Sequence, residues 1–256
     1  MTDTLATTLR ALHVPGNPVV IPNAWDAASA RIVEQAGFPA VATSSNATAA
    51  ILGYDDGEDA PVDDVLAGAA RIARSVSVPV TIDFERGYRL APAELVERFA
   101  ATGAVGLNLE DSDPATGGLV DVGEQADFLA AVRAAADSAG VDLVINARTD
   151  AFIRRAGSPE EQLRTSIDRA GRYLTAGADC VYPIATSDPE VIRTLVKEIP
   201  GPINISFGQG ALSFDELAEF GVARITFGPM LQRHLYNKLA TDLLPTIKSG
   251  QNPFTP

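Results

Sequence analysis

Eight short apolar runs recur along this chain, and a helix-like segment follows each one. The runs are Pro18–Asn23, Ala40–Ser45, Val78–Glu85, Ala104–Asp111, Val141–Thr149, Ala178–Ile184, Gly201–Phe207 and Ala223–Gly228. A parallel strand is buried on both faces, so it reads as continuous apolar sequence. Regular alternation of such strands with helices predicts an α/β fold, here a (β/α)₈ barrel. The 256 residues match the ~250 such a barrel needs, so one barrel domain is expected over residues 1–256. The competing architecture is an open doubly wound sheet. It carries a glycine-rich phosphate turn after its first strand. The corresponding turn here, Pro22-Asn23-Ala24-Trp25-Asp26, has no glycine, which favours the closed barrel.

Helices are expected at Thr4–His13, Ala24–Ala36, Val62–Val76, Pro92–Thr102, Gly123–Ala139, Pro159–Ala176, Pro189–Glu198, Phe214–Phe220 and Met230–Ile247. The first would cover the bottom of the barrel. Pro92, Pro159 and Pro189 suit a first helical turn, and Asp188 and Ser213 are candidate N-caps. Residues Asn46–Pro61, Arg86–Ala91 and Ser112–Val122 read as longer loops, and long loops on one rim are candidate lids.

A net charge of −13 argues against nucleic acid or an anionic membrane as partner. It leaves room for a small anionic substrate, because an arginine or a metal reverses the sign locally. No apolar stretch reaches the ~20 residues of a membrane span, and the polar start MTDTLATTLR has no signal core. The one cysteine, Cys180, excludes an intrachain disulfide and suits the cytoplasm. It lies in an apolar strand and reads as an inert core thiol.

Polar residues cluster where the strands end. Side chains alternate along a strand, so Asp83 and Glu85 share a face, as do Asn108 and Glu110, and as do Asn146, Arg148 and Asp150. If these faces point into the barrel mouth, carboxylates from three neighbouring strands converge beside Arg148. All-oxygen donors of this kind suit Mg²⁺, or Mn²⁺, rather than zinc. The alternative is a buried ion network. Both histidines, His13 and His234, lie in expected helices, so no histidine base is evident. Trp25 could wall the pocket or simply pack, and Asn204 could face the mouth or bond within the core. The glycine turns Phe207–Gly210 and Phe227–Pro229 follow the last two strands, where many barrels bind phosphate; tight turning explains them as well.

The segments Thr81–Tyr88, Asn108–Asp111, Asn146–Phe152 and Ala176–Asp179, with Pro22–Asp26 and Leu52–Asp56, resemble the isocitrate lyase/phosphoenolpyruvate mutase superfamily. The resemblance runs along essentially the whole chain in the family's order. It implies Mg²⁺ and a 2-oxo acid at the mouth of a modified barrel. It would make Asp83 the direct metal ligand, with Glu85 and Glu110 holding the metal through its waters. Arg148 would stabilise an enolate, Ser44 and Ser45 would hold the substrate carboxylate through backbone N–H groups, and Asp56 would be the acid of a loop. It also implies a homo-oligomer, a dimer of dimers, built on the last helix.

The chain departs from the family in one loop. Lyases of the family carry Lys-x-Cys-Gly-His/Arg after the Glu-Asp strand, and the phosphonate branches carry a Lys and an Asn there. Here the loop is Ser112–Val120, with no cysteine and no basic residue, and the first lysine of the chain is Lys197. The sixth strand ends Tyr182-Pro183-Ile184, where relatives often place a Glu or His. The expectation is a Mg²⁺-dependent lyase that cleaves a C–C bond of a small 2-oxo or 2-hydroxy (di)carboxylic acid through a pyruvate-like enolate. Decarboxylation asks least of the depleted loop. The alternatives are P–C bond chemistry and a barrel that binds a metal–carboxylate complex without turnover.

Overall fold

The computed structural model describes residues 4–208 and 210–254. Gln209, part of the expected turn Phe207–Gly210, and residues 1–3 and 255–256 lie outside the described residues. All eight apolar runs form strands: β1 Val19–Ile21, β2 Val41–Ala42, β3 Val80–Asp83, β4 Gly106–Glu110, β5 Val144–Thr149, β6 Cys180–Pro183, β7 Asn204–Ser206 and β8 Arg224–Thr226. They pair in parallel as β2-β3-β4-β5-β6 and as β1-β8-β7. Single bridges, Asn23 to Ala42 and Val181 to Ile203, join the two groups into a closed (β/α)₈ barrel.

The helices are α1 Leu5–Ala11, α2 Ala27–Gln35, α3 Ser45–Leu52, α4 Val62–Ala73, α5 Pro92–Ala100, α6 Val122–Ala139, α7 Pro159–Thr175, α8 Pro189–Glu198, α9 Phe214–Phe220, α10 Met230–Lys238 and α11 Leu244–Lys248. Pro92, Pro159 and Pro189 open their helices, and Asp188 and Ser213 cap theirs as expected. Helix α1 plugs the bottom. Its Ala6 and Leu9 pack against Val19, Ile21, Ala40, Ala42 and Val144. Gly106 makes this possible, because a Cβ there would stand 2.7 Å from Leu9 Cδ2 and 2.9 Å from Thr81 Oγ1.

Two expectations fail. Asn46–Pro61 is not all loop, because its first part belongs to α3. Ser44 caps that helix through Ala47 N–H, and Gly53 ends it in the left-handed region at φ 85°. Nor is Met230–Ile247 one α-helix. Pro245 has no N–H to return to the preceding turn, and the chain widens into a π-helical turn over Leu239–Leu243 before α11 begins.

Candidate active site

The carboxyl ends of the strands surround a cavity of about 210 Å³, below the ~300–1,000 Å³ of sites for drug-sized ligands. Its wall includes Ser44, Ser45, Asp56, Asp83, Asn108, Arg148, Tyr182 and Arg224. Helix α3 starts directly after β2, so its first N–H groups face the end of β3. Ser45 N–H and Ser45 Oγ each donate to Asp83 Oδ2 at 3.0 Å. A helix N-terminus favours an anion, and here the anion is the protein's own carboxylate. Ser45 N–H, expected to hold a substrate carboxylate, thus meets Asp83 here, and the Ser44 hydroxyl caps α3. Asp83 is further held by its own N–H on Thr43 Oγ1, 3.0 Å, with Asn108 Nδ2 at 3.5 Å.

Arg148 is the centre of the charge cluster. Its guanidinium grips Asp150 at two points, 2.6 and 3.0 Å, contacts Glu110 Oε2 at 2.7 Å and stands 3.8 Å from Asp83 Oδ2. Burial alone would lower its pKa, but Glu110, Asp150 and Asp83 raise it well above its usual value, so it stays charged. Glu110 is buried behind the cavity wall. Burial, with repulsion from Asp150, Asp83 and Glu85, lifts its pKa despite Arg148. Glu85 is turned toward the loop after α3. It accepts from Tyr88 OH and Glu58 N–H, both at 2.5 Å. Burial and the charges of Asp56 and Asp83 push it up to about 7 against those two donors. Asp56 stands at the rim. Its carboxyl is desolvated by the cavity and raised in pKa, with the Ser45 hydroxyl acting the other way.

Comparison with known proteins identifies the frame on which these side chains sit. The family model described as phosphoenolpyruvate phosphomutase matches residues 9–244. The chain belongs to this family. A crystal structure from Burkholderia cenocepacia J2315 that carries a provisional phosphonomutase name is 41% identical, with a TM-score of 0.86 over 95% of this chain and 98% of that one. The 2-methylisocitrate lyase of Salmonella typhimurium is 30% identical over 93% of this chain and 86% of its own length. A 2,3-dimethylmalate lyase, itself a member of the PEP mutase/isocitrate lyase superfamily, is 27% identical with a TM-score of 0.86 over 99% of this chain and 89% of that one.

Within this family frame, most of the expected residues meet and two do not. Asp83, Glu110 and Arg148 form one cluster, with Glu85 and Asp56 near enough to bear on it electrostatically. Trp25 does not line the cavity; it packs edge-on against Tyr236 of α10, ring centroids 6.5 Å apart. Asn204 is fully buried and reaches the wall only through Thr226, whose Oγ1 donates to its Oδ1 at 3.2 Å. Sequence reasoning missed a network behind Arg148. Asp150 also takes the Ser112 hydroxyl and its own N–H meets Asp111 Oδ1 at 2.8 Å. Asp111 in turn accepts from Tyr173 OH at 2.7 Å and pairs with Arg169 at 3.0 Å. Arg224 also went unnoticed, although it alternates in phase with Thr226, and Tyr182, noted in the sequence only as a departure from the family, lines the cavity as well.

The donor set of the cluster is all oxygen, and its charge is unbalanced. Asp83, Glu110 and Asp150 share one guanidinium, with Glu85 and Asp56 adding negative charge. Among the described residues no three His, Cys, Asp or Glu side chains stand together at ligating spacing. Mg²⁺ commonly binds through one or two carboxylates and keeps several waters, so a wider, over-charged set of this kind fits it.

Proposed function

We propose that this protein is a Mg²⁺-dependent lyase that cleaves a C–C bond of a small 2-oxo or 2-hydroxy (di)carboxylic acid through a pyruvate-like enolate. The observation that carries this reading is Arg148. It is a permanently charged guanidinium, locked by Asp150, with its face in a small cavity beside a surplus of carboxylates. Preorganised positive charge of this kind stabilises a developing enolate without reorganising at the moment of reaction. Asp83 would hold the metal directly, and Glu85 and Glu110 through water. When bound, Mg²⁺ supplies a Lewis acid for the 2-oxo carboxylate.

Asp150 fixes the plane of the Arg148 fork, and Ser112 fixes Asp150. Asn108 and the Ser44–Ser45 backbone would orient the carboxylate end of the substrate, Ser45 N–H exchanging Asp83 for it. The surface loop Asp111–Val122 would exclude water rather than transfer protons. Its two unburied acids are both spent on local backbone: Asp113 has its pKa lowered by the Thr116 hydroxyl and Ala115 N–H, and Asp121 by the N–H groups of Glu124 and Gly123. That favours decarboxylation or retro-aldol scission over P–C chemistry, for which the loop lacks the Lys and Asn of the phosphonate branches. Helix α10 and the residues beyond it would build a homo-oligomer, a dimer of dimers. Among the described residues no helix is long and apolar enough to cross a membrane, and the free buried Cys180 agrees with a cytoplasmic location.

The test is a screen of 2-oxo and 2-hydroxy acids for pyruvate release with Mg²⁺ present. At least one acid should release pyruvate, and chelation of the metal should abolish it. The reading falls if no acid is cleaved and oxalate, which mimics the pyruvate enolate, gives no Mg²⁺-dependent thermal stabilisation.

A further inference from the structure

A pyruvate enolate must gain a proton at C3, and the open acids of the loop Asp111–Val122 are spent on their own turns. Among the described residues no histidine, lysine or cysteine lines the cavity. The arginines of its wall, Arg148, Arg224 and Arg233, hold their protons too tightly to give one up. Asp83 accepts from Ser45 at two points. Two groups in the wall remain, Asp56 and Tyr182. Asp56 stands at the exposed rim, facing Asn46 Nδ2 at 3.4 Å.

Tyr182 is placed deeper. It lies on β6 in register with Arg148 of β5, so strand alternation sends both side chains to the same side of the sheet. It is 4% exposed and separates two spaces. One is the cavity that holds Asp83 and Arg148, and the other is an open groove of about 330 Å³, also lined by Ser206. Ser206 and Thr226 turn their hydroxyls to the phenol oxygen, and Arg148 brings charge to it. Burial raises the pKa of Tyr182, with Arg148 and then those two hydroxyls acting against it. The phenol therefore keeps its proton at neutral pH, while a phenolate left by donation meets a guanidinium and two donors.

We infer that Tyr182 is the acid that protonates the enolate at C3, and that Ser206 relays the replacement proton from the groove. This rests on the lyase reading above. Cleavage of the C–C bond leaves its electron pair in the enolate. The enolate C=C pair then takes the phenol proton, so the O–H bond of Tyr182 breaks and the C3–H bond forms. The enolate oxygen returns to a carbonyl, and the negative charge passes to the phenolate. Ser206 gives its hydroxyl proton to that phenolate and takes one from water in the groove. One solvent proton is consumed in each turnover.

Run backward on pyruvate in D₂O, the same step exchanges the methyl protons for deuterium, and proton NMR follows it. With Mg²⁺, the unaltered protein should exchange C3 faster than Mg²⁺ alone. Tyr182→Phe removes only the hydroxyl. It should slow the exchange by roughly 10²–10⁴-fold, the range for loss of a general acid or base. Its oxalate affinity, read by calorimetry with Mg²⁺, should change less than twofold. If circular dichroism shows that Tyr182→Phe does not fold, Ser206→Ala takes its place, with exchange severalfold slower and oxalate unmoved. The inference is overturned if the variant tested exchanges at the unaltered rate, or if its oxalate affinity falls as far as its exchange, which would mark a merely structural role. Pyruvate release without exchange in the unaltered protein overturns the role of Tyr182 and leaves the lyase reading standing. Absence of release, exchange and oxalate stabilisation together overturns both.

Discussion

Arg148 and the residues behind it divide the labour of charge and of placement. Arg148→Ala removes the charge aimed at the enolate, and kcat should fall by roughly 10²–10³-fold, the range seen for loss of one stabilising donor. Asp150→Asn keeps the volume but weakens the grip on two guanidinium nitrogens. It should lower kcat by a smaller factor, because the charge remains while its orientation loosens. Steady-state kinetics on the substrate found by the screen would check both, and equal losses would mean that Asp150 does more than position. His13 gives a prediction about stability. Its folded pKa is depressed to about 4 from 6.5, so the unfolded chain binds the proton first. As pH falls from 6.5 toward 4, His13 therefore removes stability, by roughly 3 kcal/mol at most, and adds no further change below. His13→Asn keeps a donor for Leu9 O, which the ring meets at 2.8 Å, but does not titrate. Urea unfolding across that window should show the variant losing less stability than the unaltered protein.

Elements act here mostly through their ends. Helix α3 presents its first turn to Asp83, and Ser44 fixes where that turn begins. Ser44→Ala should cost about 1 kcal/mol of stability, read by denaturant unfolding, and should also lower Mg²⁺ affinity, because Asp83 depends on the placement of Ser45. The loop Asp111–Val122 is pinned by its own bonds, Asp113 N–H to Gly118 O at 2.9 Å and Gly117 N–H to Asp113 O at 2.8 Å. If it only shields the cavity, Asp113→Ala or Thr116→Ala should reduce turnover well short of the 10²–10⁴-fold that accompanies loss of a general acid or base. A loss as large as that of Arg148→Ala would place a proton-transfer group in the loop, and simple decarboxylation would no longer hold.

At the scale of the molecule, the C-terminal helices leave an apolar face uncovered. Leu235 is 52% exposed, and Leu231, Leu239, Leu244 and Ile247 are exposed with it. The barrel itself does not cover this stripe. Burial of such a face at ~25 cal/mol/Å² would favour association. Light scattering at micromolar concentration should give an oligomeric mass, and Leu235→Glu with Leu239→Glu should lower it while circular dichroism stays unchanged. A monomeric mass for the unaltered protein would refute the assembly.

Much of this was legible in the sequence because parallel strands advertise themselves. The eight runs, the proline-opened helices and the Ser213 and Asp188 caps are local patterns, and local sterics and hydrogen bonding enforce them wherever the chain goes. The alternation of Asp83 with Glu85 and of Asn146 with Arg148 and Asp150 likewise follows from the pleat. What remained hidden depends on contacts between distant segments. Strand alternation puts Glu85 on the face of Asp83, but a φ of 48° at Glu85 ends the pleat there and turns its carboxylate to Tyr88 and Glu58. Helix α3, SNATAAIL, reads as loop in the sequence because its residues are mostly small and polar and it is only eight residues long. That Arg224 Nε and Nη1 have no hydrogen-bond partner among the described residues is invisible in Ala223-Arg224-Ile225, since closure of β8 against β1 and β7 decides what stands beside it. The sequence by itself determined the barrel and the roster of charged groups, because periodicity and composition are properties of neighbours along the chain. The tertiary structure alone decided which of those groups are paired, which are protonated more easily and which are left open, because burial and charge pairing depend on what the fold brings across the barrel.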